Sequence, residues 1–145
     1  MIRFAYLTGM RESDVLNVKH SDITTDGIAY VQSKTGEAVG VGFSEALTEV
    51  VERARKLFAV KDSEYLFAVR NGKSKGRPYT GDGFRAMWRR VKLAAGLPDV
   101  RFHDMRRKAG SDVTEEHARA LLGHTDAKTT RAHYRAKPEY VKPVK

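Results

Sequence analysis

The segment between positions 121 and 134 combines a histidine, a tyrosine and several cationic side chains. Gly123 is of the type that ends helices, which places His124 at a helix end, with Tyr134 about two turns of a following short helix away. Imidazole exchanges protons near neutral pH. A phenol, with a pKa near ~10, is a useful nucleophile only if it loses its proton or its target is strongly polarised. The neighbouring cations would polarise an anionic target, so the segment predicts attack by Tyr134 on such a group.

An arginine near the start of the chain is a second candidate for the same chemistry. Arg11 follows the helix-breaking pair Thr8-Gly9 and precedes Asp14. One interpretation is a surface arginine paired with a carboxylate three residues on. The other is a guanidinium that binds phosphate and is held in place by Asp14, because the planar fork of arginine donates two parallel hydrogen bonds to phosphate oxygens. Taken alone, these residues favour the surface pair.

A histidine, an arginine and a lysine complete the set of candidates. His103 and Arg106 are three residues apart, so they share one helical face and could bind one phosphate; the histidine could equally be structural. Lys34 stands in a turn between two predicted strands. It is either a solvated surface lysine or a mobile general acid that reaches into a bound polyanion.

The elements that must position these residues are mostly helices. Ile2 to Leu7 is apolar and predicts a buried helix, and Ser44, Thr80 and Thr114 are suited to cap later helices. The helix after Ser44 is expected to bury an apolar face made of Leu47, Val50, Val51, Ala54, Leu57 and Phe58. The face expected for the helix after Thr80 consists of Phe84, Met87, Trp88 and Val91. Period-two patterning between positions 23 and 43, with a turn at Asp26-Gly27, predicts a small three-stranded antiparallel sheet.

The composition of the chain limits the kinds of partner and chemistry that we expect. The chain has 145 residues, a formal net charge of +9 and no cysteine. Such a positive surface favours a polyanion, DNA or RNA first, although a merely soluble basic protein has the same excess. Absence of cysteine excludes disulfides and thiol chemistry. The sequence shows neither a signal peptide nor an apolar run of membrane length, so we expect an intracellular protein.

Four stretches resemble, in order, the motifs of the tyrosine recombinase (phage integrase) family. They are Thr8-Gly-Met-Arg11-Glu-Ser-Asp14-Val-Leu16, which resembles the first-arginine motif; Ser33-Lys34-Thr-Gly36, which resembles the hairpin lysine; His103-Asp-Met-Arg106, which resembles the His-x-x-Arg box; and Leu122-Gly-His124 followed by Thr129-Thr130 and Tyr134. Each alone is a weak signal, whereas all four in order, covering the chain from end to end, are a strong one.

The resemblance implies an organisation. We expect a mainly helical α+β catalytic domain at residues 1–137, lacking the family's first helix and its N-terminal DNA-clamping domain. Residues 138–145 would form a tail that docks on a neighbouring subunit. The partner would be double-stranded DNA, bound by a homo-tetramer of the full-length protein, whereas this fragment would be a monomer. A bacterial or phage-encoded protein of this kind would act in the cytoplasm, at the nucleoid.

The resemblance also implies a role for each site residue. Arg11, Arg106 and His124 would hold the non-bridging oxygens of a phosphodiester. Tyr134 would attack phosphorus to give a 3′-phosphotyrosyl link, Lys34 would protonate the leaving oxygen, and His103 would assist proton transfer at the nucleophile. Neither a metal nor another cofactor is expected.

Several alternatives remain open. The family's tyrosine commonly lies one residue nearer the glycine-histidine pair, where this chain has His133. A histidine adduct would be labile, so Tyr134 is preferred and Tyr140 is a distant second. A two-metal nuclease would need converging carboxylates, and Asp104, Asp112, Glu115 and Glu116 lack ligand spacing. A type IB topoisomerase shares the chemistry, and a non-catalytic DNA-binding remnant would retain the motifs without activity.

Overall fold

The computed structural model describes residues 1–123 and 140–145, the latter without the Tyr140 side chain. Within these ranges, helices surround one small sheet, which confirms the mainly helical α+β class. The helices are α1 (Ile2–Thr8), α2 (Glu12–Asn17), α3 (Glu45–Leu57), α4 (Gly81–Ala94), α5 (His103–Ser111) and α6 (Glu115–Leu122), and the strands are β1 (Gly27–Val31), β2 (Ala38–Gly42) and β3 (Tyr140–Val141). A 3-10 turn covers His20–Asp22.

The helix ends follow from local side-chain chemistry. Helices α3, α4 and α6 begin after Ser44, Thr80 and Thr114, and each hydroxyl accepts a hydrogen bond from the amide three residues on. Helices α1 and α6 end at Gly9 (φ 63°) and Gly123 (φ 60°), in the left-handed region that glycine adopts without strain. The predicted start and end signals are confirmed at these positions.

The prediction of a three-stranded antiparallel sheet is wrong in its third strand. Strands β1 and β2 pair antiparallel as expected, with Lys34 in the turn that joins them. The stretch before Gly27 contributes only a single bridge, between Ile23 and Ile28. The reason is that the carboxylate of Asp22 accepts a hydrogen bond from the Lys19 amide at 2.8 Å, which closes a 3-10 turn where a strand was expected.

The third strand comes instead from the C-terminal segment, which was expected to be a tail without structure. Strand β3 pairs parallel with β2, with Gly40 opposite Tyr140 and Val41 opposite Val141. Beyond it, the Ser44 hydroxyl donates to the Lys145 carbonyl, and Pro143 is buried. The second edge of β2 therefore has a backbone partner that the sequence pattern did not predict, because the two residues Tyr140–Val141 are too few to show periodicity.

The core lies between α1, the sheet and α3. Phe4 is fully buried, and its ring packs edge-on against Phe67 with centroids 5.1 Å apart. Two residues expected on buried helical faces are half exposed, Leu57 at 48% and Val91 at 50%. They border an apolar groove of about 560 Å³ between α1, α3 and α4, which these helices do not close.

Among residues 1–123 and 140–145, the helices are all too short and too polar to cross a membrane.

Candidate active site

Arg106 is the buried centre of the candidate site. Its side chain projects from α5 and is only 5% exposed. Nη1 donates to the Gly9 carbonyl at 2.5 Å, and Nη2 donates to the Leu122 carbonyl at 2.7 Å. Both acceptors stand at the C-terminal ends of helices, α1 and α6, where unpaired carbonyls carry partial negative charge. One guanidinium therefore joins α5 to the ends of α6, its neighbour in sequence, and of α1, which lies near the start of the chain.

Arg11 reaches the same helix end through an intermediate side chain. Its Nη1 donates at 2.5 Å to Oε1 of Gln32, which is fully buried at the end of β1. Nε2 of Gln32 in turn donates to the Leu122 carbonyl at 3.0 Å. The two arginines of the predicted phosphate site thus converge on one carbonyl oxygen, immediately before Gly123.

The prediction that Asp14 holds Arg11 is wrong. Arg11 is the residue that precedes α2, whereas Asp14 lies in the first turn and is 5% exposed. Its Oδ1 accepts a hydrogen bond from the Ser33 amide at 2.9 Å, and within the described part of the chain its Oδ2 has no hydrogen-bond partner. Asp14 instead anchors the hairpin turn that carries Lys34, assisted by a 2.9 Å contact between the hydroxyls of Ser13 and Ser33.

Arg11 and Arg106 place two positive charges in the site, and the buried carboxylate of Asp14 lies near enough to oppose them in part. Burial lowers the pKa of Arg106, and the neighbouring charge of Arg11 lowers it further. A guanidinium nevertheless stays protonated at physiological pH. Within residues 1–123 and 140–145 the hydrogen bonds of Arg106 go to neutral carbonyls, so the pair of arginines favours an anion as ligand.

Two tyrosines of the described region are unsuited to act as nucleophiles. Burial raises the pKa of Tyr30 to about 12, and the charge of Asp14 adds to this effect against opposing contributions from Gln32 and the two arginines. A hydrogen bond of 2.6 Å to Asp112, the largest cause, raises the pKa of Tyr6. Both phenols therefore hold their protons more firmly than an ordinary tyrosine.

His103 is the first residue of α5, and its side chain is exposed. It lies close enough to Arg106 and Arg11 for their charges to affect its pKa. Partial burial lowers the pKa of its imidazole, and Arg106, Arg107 and Arg11 lower it further, while Asp104 opposes them. At neutral pH the imidazole is consequently neutral, in the form that accepts a proton. This is compatible with a role in proton transfer, which stays a prediction beside the structural alternative.

The structure brings Arg11, His103 and Arg106 together and keeps Lys34 at the rim. Lys34 is exposed at the tip of the β1–β2 turn. His124 and Tyr134, together with the alternative His133, lie outside the described residues. Helix α6 ends at Leu122, two residues before His124 in the sequence.

Three of the four carboxylates considered for a two-metal nuclease have separate partners. Asp112 accepts hydrogen bonds from Lys108 and Tyr6. Asp104 accepts from the Arg101 amide at 2.8 Å, and Glu115 pairs with Arg119 at 2.8 Å. Across residues 1–123 and 140–145, histidine and acidic side chains nowhere form a group of three that could hold a metal ion.

Sequence reasoning missed Gln32 and the role of the Leu122 carbonyl. The period-two pattern of β1 did contain a signal, because Ile28 and Tyr30 face inward, whereas Val31 is 62% exposed. Continuing that pattern places Gln32 inside the protein. A polar residue at an inward strand position must find hydrogen-bond partners, and here they are Arg11 and the end of α6.

Substitution of Gly123 tests how tightly this helix end is packed. A Cβ atom at Gly123 would lie 2.4 Å from Nε2 of Gln32, whereas Gly96, at a similar φ of 69°, has open space around it. We expect Gly96→Ala to lower the free energy of unfolding by about 1 kcal/mol, the cost of a left-handed backbone. Gly123→Ala should cost clearly more, by roughly a further 1–3 kcal/mol of overpacking. Urea unfolding of both variants provides the comparison, and equal losses would contradict this close approach.

Comparison with known proteins identifies relatives of the whole chain. The family model described as "Phage integrase family" matches residues 1–139. The tyrosine recombinase XerC of Staphylococcus saprophyticus is 28% identical over 153 aligned residues, which cover 99% of this chain and 51% of that protein. The chain therefore spans about half the length of the curated relatives it matches.

Solved structures share its fold. The lambda integrase catalytic core superposes with a TM-score of 0.70 at 24% identity, covering 86% of this chain and 80% of that one. A lambda integrase tetramer bound to a Holliday junction gives a TM-score of 0.67 at 22% identity, over 90% of this chain and 42% of that one. The predicted fold is confirmed by these likenesses.

Proposed function

The chain belongs to the phage integrase family, and we propose that it is the catalytic domain of a site-specific DNA recombinase that cuts and rejoins strands through a 3′-phosphotyrosyl intermediate. The observation that carries this proposal is the convergence of Arg11 and Arg106 on the Leu122 carbonyl. Among the described residues these two guanidiniums donate hydrogen bonds to an amide and to carbonyl oxygens instead of carboxylates, so they suit the non-bridging oxygens of one phosphodiester.

The proposed reaction balances without an external energy source. The Tyr134 oxygen bonds to phosphorus while the bond from phosphorus to the 5′ oxygen breaks. His103 takes the phenolic proton, and Lys34 gives a proton to the departing oxygen. The phosphotyrosyl link retains the energy of the broken phosphodiester bond. A 5′-hydroxyl from a partner strand can therefore attack the phosphorus in turn and release Tyr134. Arg11, Arg106 and His124 stabilise the pentacoordinate transition state; loss of one such donor costs ~2.7–4 kcal/mol of barrier in other enzymes.

The proposed substrate is duplex DNA, in line with the net charge of +9. Lambda integrase has been solved as a tetramer on a Holliday junction, and by analogy we place this domain in a homo-tetramer on DNA when the whole protein is present. The domain alone is expected to be monomeric. We further propose that residues 1–137 act as the catalytic domain and that the protein works in the cytoplasm, at bacterial or phage DNA.

The test is covalent trapping on a nicked DNA duplex. Cleavage near the nick releases a short 5′-hydroxyl fragment that diffuses away, so the enzyme stays attached and accumulates as an adduct. Mass spectrometry of the digested adduct should place the nucleotide on Tyr134. An adduct on His133 or Tyr140 would overturn the site assignment.

A non-catalytic DNA-binding protein is the second candidate function, because the net charge of +9 favours a polyanion whether or not a strand is cut. It predicts DNA binding without any adduct, both for this chain and for the chain joined to a complementary DNA-clamping half. A type IB topoisomerase-like enzyme would form the adduct and relax supercoiled DNA, but it would not exchange strands between duplexes. Relaxation and strand-exchange assays distinguish these outcomes.

The acid limb of the pH–rate profile should report His103. Its pKa lies below the ordinary value of 6.5, chiefly because of burial and the nearby cations. The neutral form needed for proton acceptance is therefore complete at neutral pH, and cleavage should slow only as the pH falls below that value. Arg107→Ala removes one repelling cation, which raises the pKa, so the acid limb should move to higher pH.

The same shift can be measured without catalysis, by NMR titration of the His103 imidazole. Arg55→Ala is a matched control, since Arg55 is exposed on α3 and pairs with Glu52. That control should leave both the titration and the acid limb in place. A limb that does not move in Arg107→Ala would show that another group limits the rate in acid.

A further inference from the structure

We propose that Gln32 is a positioning residue for DNA cleavage, which fixes the Arg11 guanidinium relative to that of Arg106 through their shared acceptor, the Leu122 carbonyl. The inference rests on the proposed function for its kinetic consequence, but its structural part stands separately. Arg11, Gln32, the end of α6 and Arg106 form one continuous chain of hydrogen bonds. Of its members, Gln32 alone touches both Arg11 and the helix end.

The orientation of the Gln32 amide is dictated by its neighbours. Guanidinium groups only donate hydrogen bonds and carbonyl oxygens only accept them. Oε1 must therefore face Arg11 and the Thr35 hydroxyl, which donates to it at 3.0 Å. Nε2 must face the Leu122 carbonyl. With the amide reversed, Nε2 would face the donors of Arg11 and Thr35, and Oε1 would face the Leu122 carbonyl. Only the observed orientation therefore satisfies both ends of the side chain.

A neutral amide suits this position better than a carboxylate. A carboxylate at position 32 would accept the bond from Arg11 but would neutralise part of the charge that the phosphate needs. It would also place an acceptor against the Leu122 carbonyl, where a donor now stands. Glutamine thus orients Arg11 and leaves the positive charge of both arginines available for the substrate.

The packing leaves Gln32 little freedom. Its side chain has no exposed surface, and a Cβ atom on Gly123 would approach Nε2 to 2.4 Å. Gln32 also directly precedes Ser33, whose amide is bound by Asp14, and the turn that carries Lys34. A single side chain therefore links the arginine, the lysine-bearing turn and the helix that ends before His124.

The structural part is tested by NMR of arginine side chains, with signals assigned through Arg11→Lys and Arg106→Lys. In the wild-type chain the Nη protons of Arg11 should exchange slowly with water because one is held by buried Gln32. Gln32→Leu keeps the approximate shape but neither hydrogen bond, so these protons should exchange faster. Thr35→Val, the matched control, removes only the second donor to Oε1 and should leave the Arg11 signals in place. Arg11 signals that are the same in Gln32→Leu and the wild type would overturn the inference.

The kinetic part uses single-turnover cleavage of the nicked duplex. Gln32→Leu should slow cleavage by about 10- to 100-fold, as expected when a catalytic group is misplaced by about 1 Å, while DNA affinity changes by less than about twofold. Gln32→Glu should be slow as well, although it still binds Arg11. In an Arg11→Ala background, adding Gln32→Leu should change the rate by less than about twofold, because there is no guanidinium left to position. A further tenfold loss there would show that Gln32 acts by another route.

The two arms separate this inference from the proposed function. The proposed function fails if the wild-type chain forms no adduct, either alone or joined to a DNA-clamping domain. The NMR experiment then decides the role of Gln32 by itself. If the wild type forms the adduct and Gln32→Leu cleaves at the same rate, the function stands and the positioning role is refuted.

Discussion

Tyr134→Phe is expected to abolish the covalent protein–DNA adduct while leaving DNA affinity nearly unchanged. The substitution removes a single hydroxyl, which is the proposed nucleophile, and retains the ring. Tyr30 and Tyr6 do not offer a substitute, since burial raises the pKa of Tyr30 to about 12 and Asp112 binds the hydroxyl of Tyr6. The measurement is adduct formation on the nicked duplex, with a mobility-shift assay in parallel.

Tyr140→Phe is the matched control for this variant. It removes a hydroxyl from strand β3 and should leave the adduct intact. An adduct that persists in Tyr134→Phe, or disappears in Tyr140→Phe, would contradict the assignment of the nucleophile. His133→Ala completes the set, because it removes the histidine that stands one residue nearer the glycine-histidine pair.

Lys34→Ala is expected to slow cleavage by about 10²- to 10⁴-fold, the range for loss of a general acid or base. Lys34 is exposed at the tip of the β1–β2 turn, so the substitution should not disturb the fold. The defect should largely disappear with a substrate whose bridging 5′ oxygen is replaced by sulfur. A thiolate leaves without needing a proton, so a missing acid no longer limits the rate.

The exposed turn residue Lys61 provides the control. Lys61→Ala removes an equal charge from a different loop and should cleave both substrates like the wild type. If Lys34→Ala showed the same deficit on the oxygen and sulfur substrates, Lys34 would contribute to binding or positioning instead of proton transfer.

Local chemistry made much of this fold predictable from the sequence. The helix starts after Ser44, Thr80 and Thr114 and the helix end at Gly123 depend on short-range hydrogen bonds and backbone preference. The same holds for the turn that presents Lys34. The pairing of His103 with Arg106 follows from helical spacing, and the structure adds the electrostatic coupling between them.

Interactions between distant segments were not predictable in this way. The third strand comes from residues 140–141, about a hundred positions from its partner β2, and a local sequence pattern does not indicate such a distant pairing. The function given to Asp14 was wrong because its carboxylate turns inward to Ser33, although spacing alone allowed a pair with Arg11. Gln32 was overlooked since its importance depends on a carbonyl 90 residues away.

These long separations bear on how the protein folds. The bond from Arg106 to Gly9 spans 97 residues, and that from Gln32 to Leu122 spans 90. Contacts of such range form late, because closing a large loop costs entropy before any contact repays it. A nascent chain whose α6 segment is still inside the ribosome lacks the Leu122 carbonyl, on which both arginines converge directly or through Gln32. The proposed phosphate-binding centre is therefore expected to form only after α6 has joined the rest of the domain.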